Sequence, residues 1–247
     1  MIYFIIALQF LTRIPVKVKG EIAPEDYGRS MAWFPAVGLV LGLLLVLIFK
    51  LAAALFPKPA AEMLVITAYM FLTGAIHIDG LADTFDGLYG GRGDKEKTLA
   101  IMKDSAVGAV GALAIALDII LRFVLLDALA ITKIPQALIA MAVLGRWAQV
   151  LFTVNTVSAR PYGTGGYFSR NVSPAIFILS TLAMLLINLF FLKPFFLSCG
   201  LVFVSLIILL VKNYVRRAIG GITGDAIGAA NEIAEISVLL WMSTAAI

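Results

Sequence analysis

Residues 31–55 read MAWFPAVGLVLGLLLVLIFKLAAAL and hold a single charge, Lys50. An α-helix needs about 20 consecutive apolar residues to cross a bilayer core of about 30 Å, and this run has them. It lacks the two-residue alternation of a strand. In hydrocarbon a helix satisfies its own backbone groups, which favours a helical bundle. Six more apolar runs follow, at 61–76, 107–131, 135–157, 174–192, 195–211 and 227–247. The run 61–76 is short, and the last contains Glu232 and Glu235. The pattern predicts an all-α, polytopic transmembrane helix bundle with about seven spans, forming one domain over 1–247. Composition agrees: 62% of residues are hydrophobic, 14% are charged and mean hydropathy is +1.02. A soluble domain carries about a quarter charged residues.

Residues 1–10 are apolar but have no basic start, and Thr12-Arg13-Ile14-Pro15 stands where a cleavage site would be. The stretch reads as a retained interfacial or re-entrant helix, not a signal peptide. Cys199 is the only cysteine. It excludes an intrachain disulfide and a cysteine metal site, and its apolar run suggests a small buried hydrophobe.

The net charge of +4 does not point to nucleic acid, because the basic residues lie between apolar runs. Seven spans place 12–30, 77–106, 158–173 and 212–226 on one side. Arg13, Lys17, Lys19, Arg29, Arg92, Lys95, Lys97, Lys103, Arg160, Arg170, Lys212, Arg216 and Arg217 lie there, against Lys50, Lys58, Lys133 and Lys193 opposite. Thirteen against four predicts that this face is cytoplasmic.

On that face, residues 77–87 read HIDGLADTFDG. Asp79, Asp83 and Asp86 stand at i, i+4 and i+7, one side of a helix. Carboxylates that close repel one another unless a cation sits among them. Their hard oxygens suit Mg²⁺, Mn²⁺ or Ca²⁺, and Mg²⁺ commonly bridges carboxylates to substrate phosphates. The competing reading is a solvated acidic helix end. His77, the only histidine, is a candidate base or ligand, although two residues before Asp79 it points to another side of the helix. Lys103 and Asp104 enter the next span as a candidate phosphate contact and a candidate ligand or base, or as an interfacial anchor and helix cap. The neighbouring glycines suit close ligand approach or tight helix packing equally.

A second cluster of glycines and acids runs from Gly220 to Glu232, with Asp225 and Glu232 seven apart and Arg216 and Arg217 just before it. Arg217, Arg160, Arg13 and the intramembrane Arg146 are candidate phosphate clamps. Asp118 and Arg122, at i and i+4, are expected to pair. Polar glue between helices is the alternative for the intramembrane charges. The segment 160–166 is a flexible loop that either closes over a substrate or only connects.

These motifs resemble the cobalamin synthase family, the adenosylcobinamide-GDP ribazoletransferases. The resemblance covers nearly the whole chain and rests on the segments 10–16, 33–38, 77–87, 101–108, 145–147 and 220–235. Ala106 departs from the family pattern, where a basic residue often follows Lys-Asp-Ser, so a phosphate contact there would come from Lys103 or Arg92. The resemblance implies an inner-membrane enzyme that joins adenosylcobinamide-GDP to α-ribazole or its 5′-phosphate, releases GMP and uses Mg²⁺. Membrane lipid and a homo-oligomer are the other partners expected. Rival readings are a phosphotransferase of the CDP-alcohol type and an ion-coupled transporter. The first is disfavoured by Leu81-Ala82 after Asp79-Gly80, where such enzymes carry Ala-Arg. The second would use Asp118, Arg122, Glu232 and Glu235 as a relay, and no internal repeat supports it.

Overall fold

The computed structural model describes residues 2–18, 20–160 and 164–244. Twelve helices follow one another among them: α1 Ile2–Leu11, α2 Pro24–Ser30, α3 Phe34–Ala53, α4 Lys58–Thr73, α5 Ile76–Gly91, α6 Lys95–Ile101, α7 Ala109–Asp127, α8 Ile134–Thr153, α9 Thr164–Asn171, α10 Pro174–Leu189, α11 Pro194–Ile219 and α12 Gly224–Thr244. A 3₁₀ turn, Met31–Trp33, joins α2 to α3. Proline stands in the first turn of α3, α4, α8, α10 and α11. Its missing N–H costs nothing there, because the first amides of a helix have no intrahelical partner.

The bundle is a polytopic membrane fold, as expected. Four stretches are long and apolar enough to cross alone: Pro24–Ala53, Ala109–Asp127, Ile134–Thr153 and Pro194–Ile219. Two bent pairs, α4 with α5 and α9 with α10, raise the count to six if each is one span. The difference from seven has physical causes. Helices α4 and α10 have 16 residues each, about 24 Å at 1.5 Å per residue. Helix α12 carries Asp225, Asn231, Glu232 and Glu235 and is absent from the apolar set; the other helices bury it instead. The stretch 212–219, expected as loop, forms the last two turns of α11. Lys212 is buried there, with Nζ donating to the carbonyls of Leu151 and Val154 at 3.1 and 2.6 Å. Cys199, expected inside, is exposed on α11.

Helix α8 is the axis. Nearly every residue of it is buried, and its largest partners are α3 and α12. Gly38 of α3 makes the first pairing close: a Cβ there would stand 2.5 Å from the carbonyl oxygen of Ala142. The outer faces of α3, α7, α10 and α11 display leucines such as Leu47, Leu117, Leu182 and Leu206. In a bilayer that is the favourable side for them.

Helix α4 ends where Gly74 and Ala75 both take left-handed backbone angles, φ 64° and 57°. The chain turns 88° there, so α5 leaves the direction in which α4 crosses. This elbow turns the acidic segment across the direction of α4.

Gly38→Val forces an added side chain into the backbone of α8. Overpacking of this kind costs about 1–3 kcal/mol. Thermal unfolding in detergent should show a clear drop for Gly38→Val and almost none for Leu47→Ala on the lipid face.

Candidate active site

Helix α5 lies along the first turns of α12, because Gly80 has no side chain to hold them apart. A Cβ on Gly80 would stand 2.6 Å from the carbonyl oxygen of Asp225. Thr223 caps α12, its Oγ1 accepting from the amide of Ala226 at 3.1 Å. Just before it, Ile222 pairs with the connection after α8: its amide donates to the Val157 carbonyl at 3.0 Å, and the Ala159 amide donates to the Ile222 carbonyl at 2.9 Å. This short parallel bridge fixes Arg160 beside Asp225. Arg160 Nη1 lies 3.4 Å from Asp225 Oδ2, and Nη2 donates to the Leu99 carbonyl at 3.1 Å. The rest of the turn, Pro161 to Gly163, lies outside the described residues.

The result is an acidic group assembled from two distant helices: Asp79 and Asp83 of α5 with Asp225 of α12, faced by Arg160. Burial pushes the Asp83 carboxyl up to about 6, with Asp79, Asp225 and Asp86 adding to the rise and Arg160 opposing it. Burial also raises Asp225, against Arg160. In both, burial is the larger cause, and neighbouring carboxylates add to it.

Asp86 behaves differently from its two neighbours in the motif. Its Oδ2 accepts from the Gly108 amide at 2.7 Å and its Oδ1 from the Gly111 amide at 2.8 Å. Gly108 is the N-cap of α7, so Asp86 supplies the side-chain cap that glycine lacks, at the positive end of that helix. Among the described residues, no three His, Cys, Asp or Glu side chains stand grouped as a metal site. Asp104 is exposed and accepts from the Ala106 amide at 3.1 Å, a local turn. Lys103 and Arg217 are exposed, and neither is among the groups acting on Asp83 or Asp225. Arg13 packs on the elbow, its Nε 2.2 Å from where a Gly74 Cβ would be and its amide donating to Leu72 at 2.7 Å.

Arg146 and Glu232, candidates for substrate contact, belong instead to a buried network, since both are held by partners inside the bundle. Arg122 Nε donates to Asp118 at 2.7 Å, the expected pair, and Nη1 to Glu235 at 2.6 Å. Its Nη2 donates to Glu232. Arg146 Nη1 donates to Glu235 at 2.8 Å and to Asn231 Oδ1 at 2.5 Å. Tyr69 donates to Glu235 at 2.5 Å. Gln149 Nε2 bonds Asn231 Oδ1 at 2.9 Å and meets His77 Nε2 at 3.1 Å. Thus α4, α5, α7, α8 and α12 share one polar core. His77 is 4% exposed and faces inward, while Asp79 two residues on is exposed.

Between this core and the acidic group lies a cavity of about 250 Å³. Phe10, Phe34, Phe168, His77, Gln149 and Asp225 are in its wall. The three phenyl rings touch one another, with centroids 4.8 to 6.5 Å apart. Sequence reasoning missed Gln149, Asn231 and this aromatic wall. Gln149 and Asn231 left a trace, as polar residues next to or one turn from Arg146 and Glu232 in apolar surroundings. Phe168 left none.

The family model described as cobalamin-5-phosphate synthase matches residues 3–243. The chain belongs to the cobalamin-5-phosphate synthase family. A relative from Geotalea daltonii, named adenosylcobinamide-GDP ribazoletransferase, is 41% identical over 244 residues, covering 97% of this chain and 95% of its own. Relatives of the same name from Clostridium tetani and Pseudomonas fluorescens are 37% and 36% identical, covering 96% and 98% of this chain and 94% and 100% of their own. No solved structure matches. The acidic group and the cavity described above are therefore features of a cobalamin-5-phosphate synthase family member.

Arg122→Met would leave Asp118, Glu232 and Glu235 without their shared partner. Breaking a buried ion pair costs on the order of 3–5 kcal/mol. The variant should lose its monodisperse peak in size-exclusion chromatography, and Arg122→Lys should not restore it, because one ammonium lacks the fork that reaches three carboxylates.

Proposed function

We propose that the chain is an adenosylcobinamide-GDP ribazoletransferase that joins adenosylcobinamide-GDP to α-ribazole or its 5′-phosphate. A ribose hydroxyl attacks the phosphorus on the cobinamide side of the diphosphate. The bond from that phosphorus to the bridging oxygen breaks, GMP leaves and the hydroxyl proton is released. The observation that carries this reading is the acidic group of Asp79, Asp83 and Asp225 faced by Arg160, whose Asp225 also lines an aromatic cavity. The names borne by relatives at 36 to 41% identity support it.

The chemistry of this group fits Mg²⁺. Its donors are all carboxylate oxygens, which suit a hard cation. Asp83 is raised to about 6, first by burial and then by neighbouring carboxylates that a cation would offset. Asp86 already accepts two backbone hydrogens, which leaves Asp79, Asp83 and Asp225 as the carboxylates a cation would have to draw together, since they do not stand grouped as a metal site without it. Mg²⁺, when bound, supplies Lewis-acid stabilisation of the diphosphate. Arg160 is held in place to meet a phosphate oxygen by a charge-assisted hydrogen bond. The burial of Arg146 among acids leaves it a structural cation rather than a clamp.

The face bearing 77–106, with its excess of Lys and Arg, is the cytoplasmic face of the inner membrane in this reading. A reporter fused at Val172 should be active in the cytoplasm and silent outside.

Asp83→Asn should reduce GMP release from adenosylcobinamide-GDP by roughly 10²-fold or more, with an unchanged melting temperature. Asp86→Ala should lower the melting temperature, by loss of a cap worth about 1 kcal/mol. Assays of both variants with Mg²⁺ and both substrates check this. Full turnover in Asp83→Asn would end the proposal.

A further inference from the structure

The hydrogen positions around His77 follow from its neighbours. Arg146 can only donate, so the Asn231 atom it meets at 2.5 Å is the amide oxygen. Gln149 bonds that same oxygen at 2.9 Å, so the Gln149 atom there is the amide nitrogen. This NH₂ also meets His77 Nε2 at 3.1 Å. An amide NH₂ only donates, so Nε2 accepts, the ring is neutral and its hydrogen sits on Nδ1. Nδ1 is buried and has no protein partner. A buried donor left unpaired is unfavourable, and the ring that carries it is part of the wall of the aromatic cavity.

The cavity therefore specifies a ligand: a flat, mostly hydrocarbon ring system with a single hydrogen-bond acceptor on its edge. At about 250 Å³ it lies below the roughly 300–1,000 Å³ of pockets for drug-sized molecules, so it excludes a corrin macrocycle. Guanine presents several donors and acceptors; of the polar groups in the wall, Gln149 already donates to His77 and Asn231 and Asp225 faces Arg160, so beside Phe10, Phe34 and Phe168 most of guanine's polar edge would stay unpaired. A benzimidazole joined to ribose through one ring nitrogen has one lone pair left, on the other. We infer that this cavity holds the benzimidazole base of the nucleoside acceptor, with His77 Nδ1–H bonding its free ring nitrogen and the ribose directed to Asp225. The inference deepens the function proposed above and rests on it.

The experiment measures equilibrium binding to the full chain in detergent, with no corrinoid present. The probes are α-ribazole and the matching indole riboside, in which the free ring nitrogen is a CH of the same shape. The unaltered protein should bind α-ribazole about tenfold tighter or more. His77→Phe should bring both nucleosides to the weaker affinity, and Phe168→Leu should weaken both by a similar factor. Equal affinity of the unaltered protein for the two nucleosides would overturn the inference, and this comparison does not depend on any variant folding. So would a preference that survives in His77→Phe, absence of binding by either nucleoside, or displacement of α-ribazole by guanosine. GMP release is assayed in parallel. A nitrogen-dependent preference without GMP release would sink the transferase reading and leave the subsite standing, whereas GMP release without the preference would do the reverse.

Discussion

The bundle depends on one guanidinium. Arg122 donates to Asp118 on its own helix and to Glu232 and Glu235 on α12. Hydrocarbon offers no water to take over these bonds, so separating the partners would expose charges in the least favourable medium available to them. Arg146 makes the same demand from α8 through Glu235 and Asn231. Together they fix the polar stripe of α12, whose residues are too hydrophilic for lipid, at the centre of the helices. The position of α12 in turn sets where Asp225 emerges, and Asp225 is where the two acidic segments meet.

The polar core and the acidic group are therefore parts of one arrangement. Asn231 accepts from both Arg146 and Gln149, and Gln149 orients His77. His77 borders the cavity whose other end is Asp225. A charge deep among the helices thus determines which hydrogen a ring in the cavity wall presents. Fixed dipoles of this kind need no rearrangement when a ligand arrives.

Much of this was legible in the sequence. Apolar runs gave the helical membrane class, and i, i+4 spacing gave the Asp118–Arg122 pair and a shared face for Asp79 and Asp83. The long-range part was not legible. Spacing says which residues share a side of one helix, but not which helix lies opposite. Asp86 has the right spacing for the acidic group, yet the start of α7 claims it because Gly108 brings no side chain of its own to cap that helix. Arg146 and Glu232 could be read either as substrate contacts or as polar glue because their partners lie 89 and 110 residues away in sequence. Helix α12 was counted as a span from its length, whereas its acids make it a core element.

The link from Asp86 to the start of α7 has a mechanical consequence. Helix α5 carries the acidic face at one point and is pinned to α7 at another, and α7 bears Arg122 further along. The two helices act as levers on a common pivot. A small rotation of α5 would be passed along α7 to the buried guanidinium, where three acids resist it. Stiffness at the acidic group is thus borrowed from the interior of the fold.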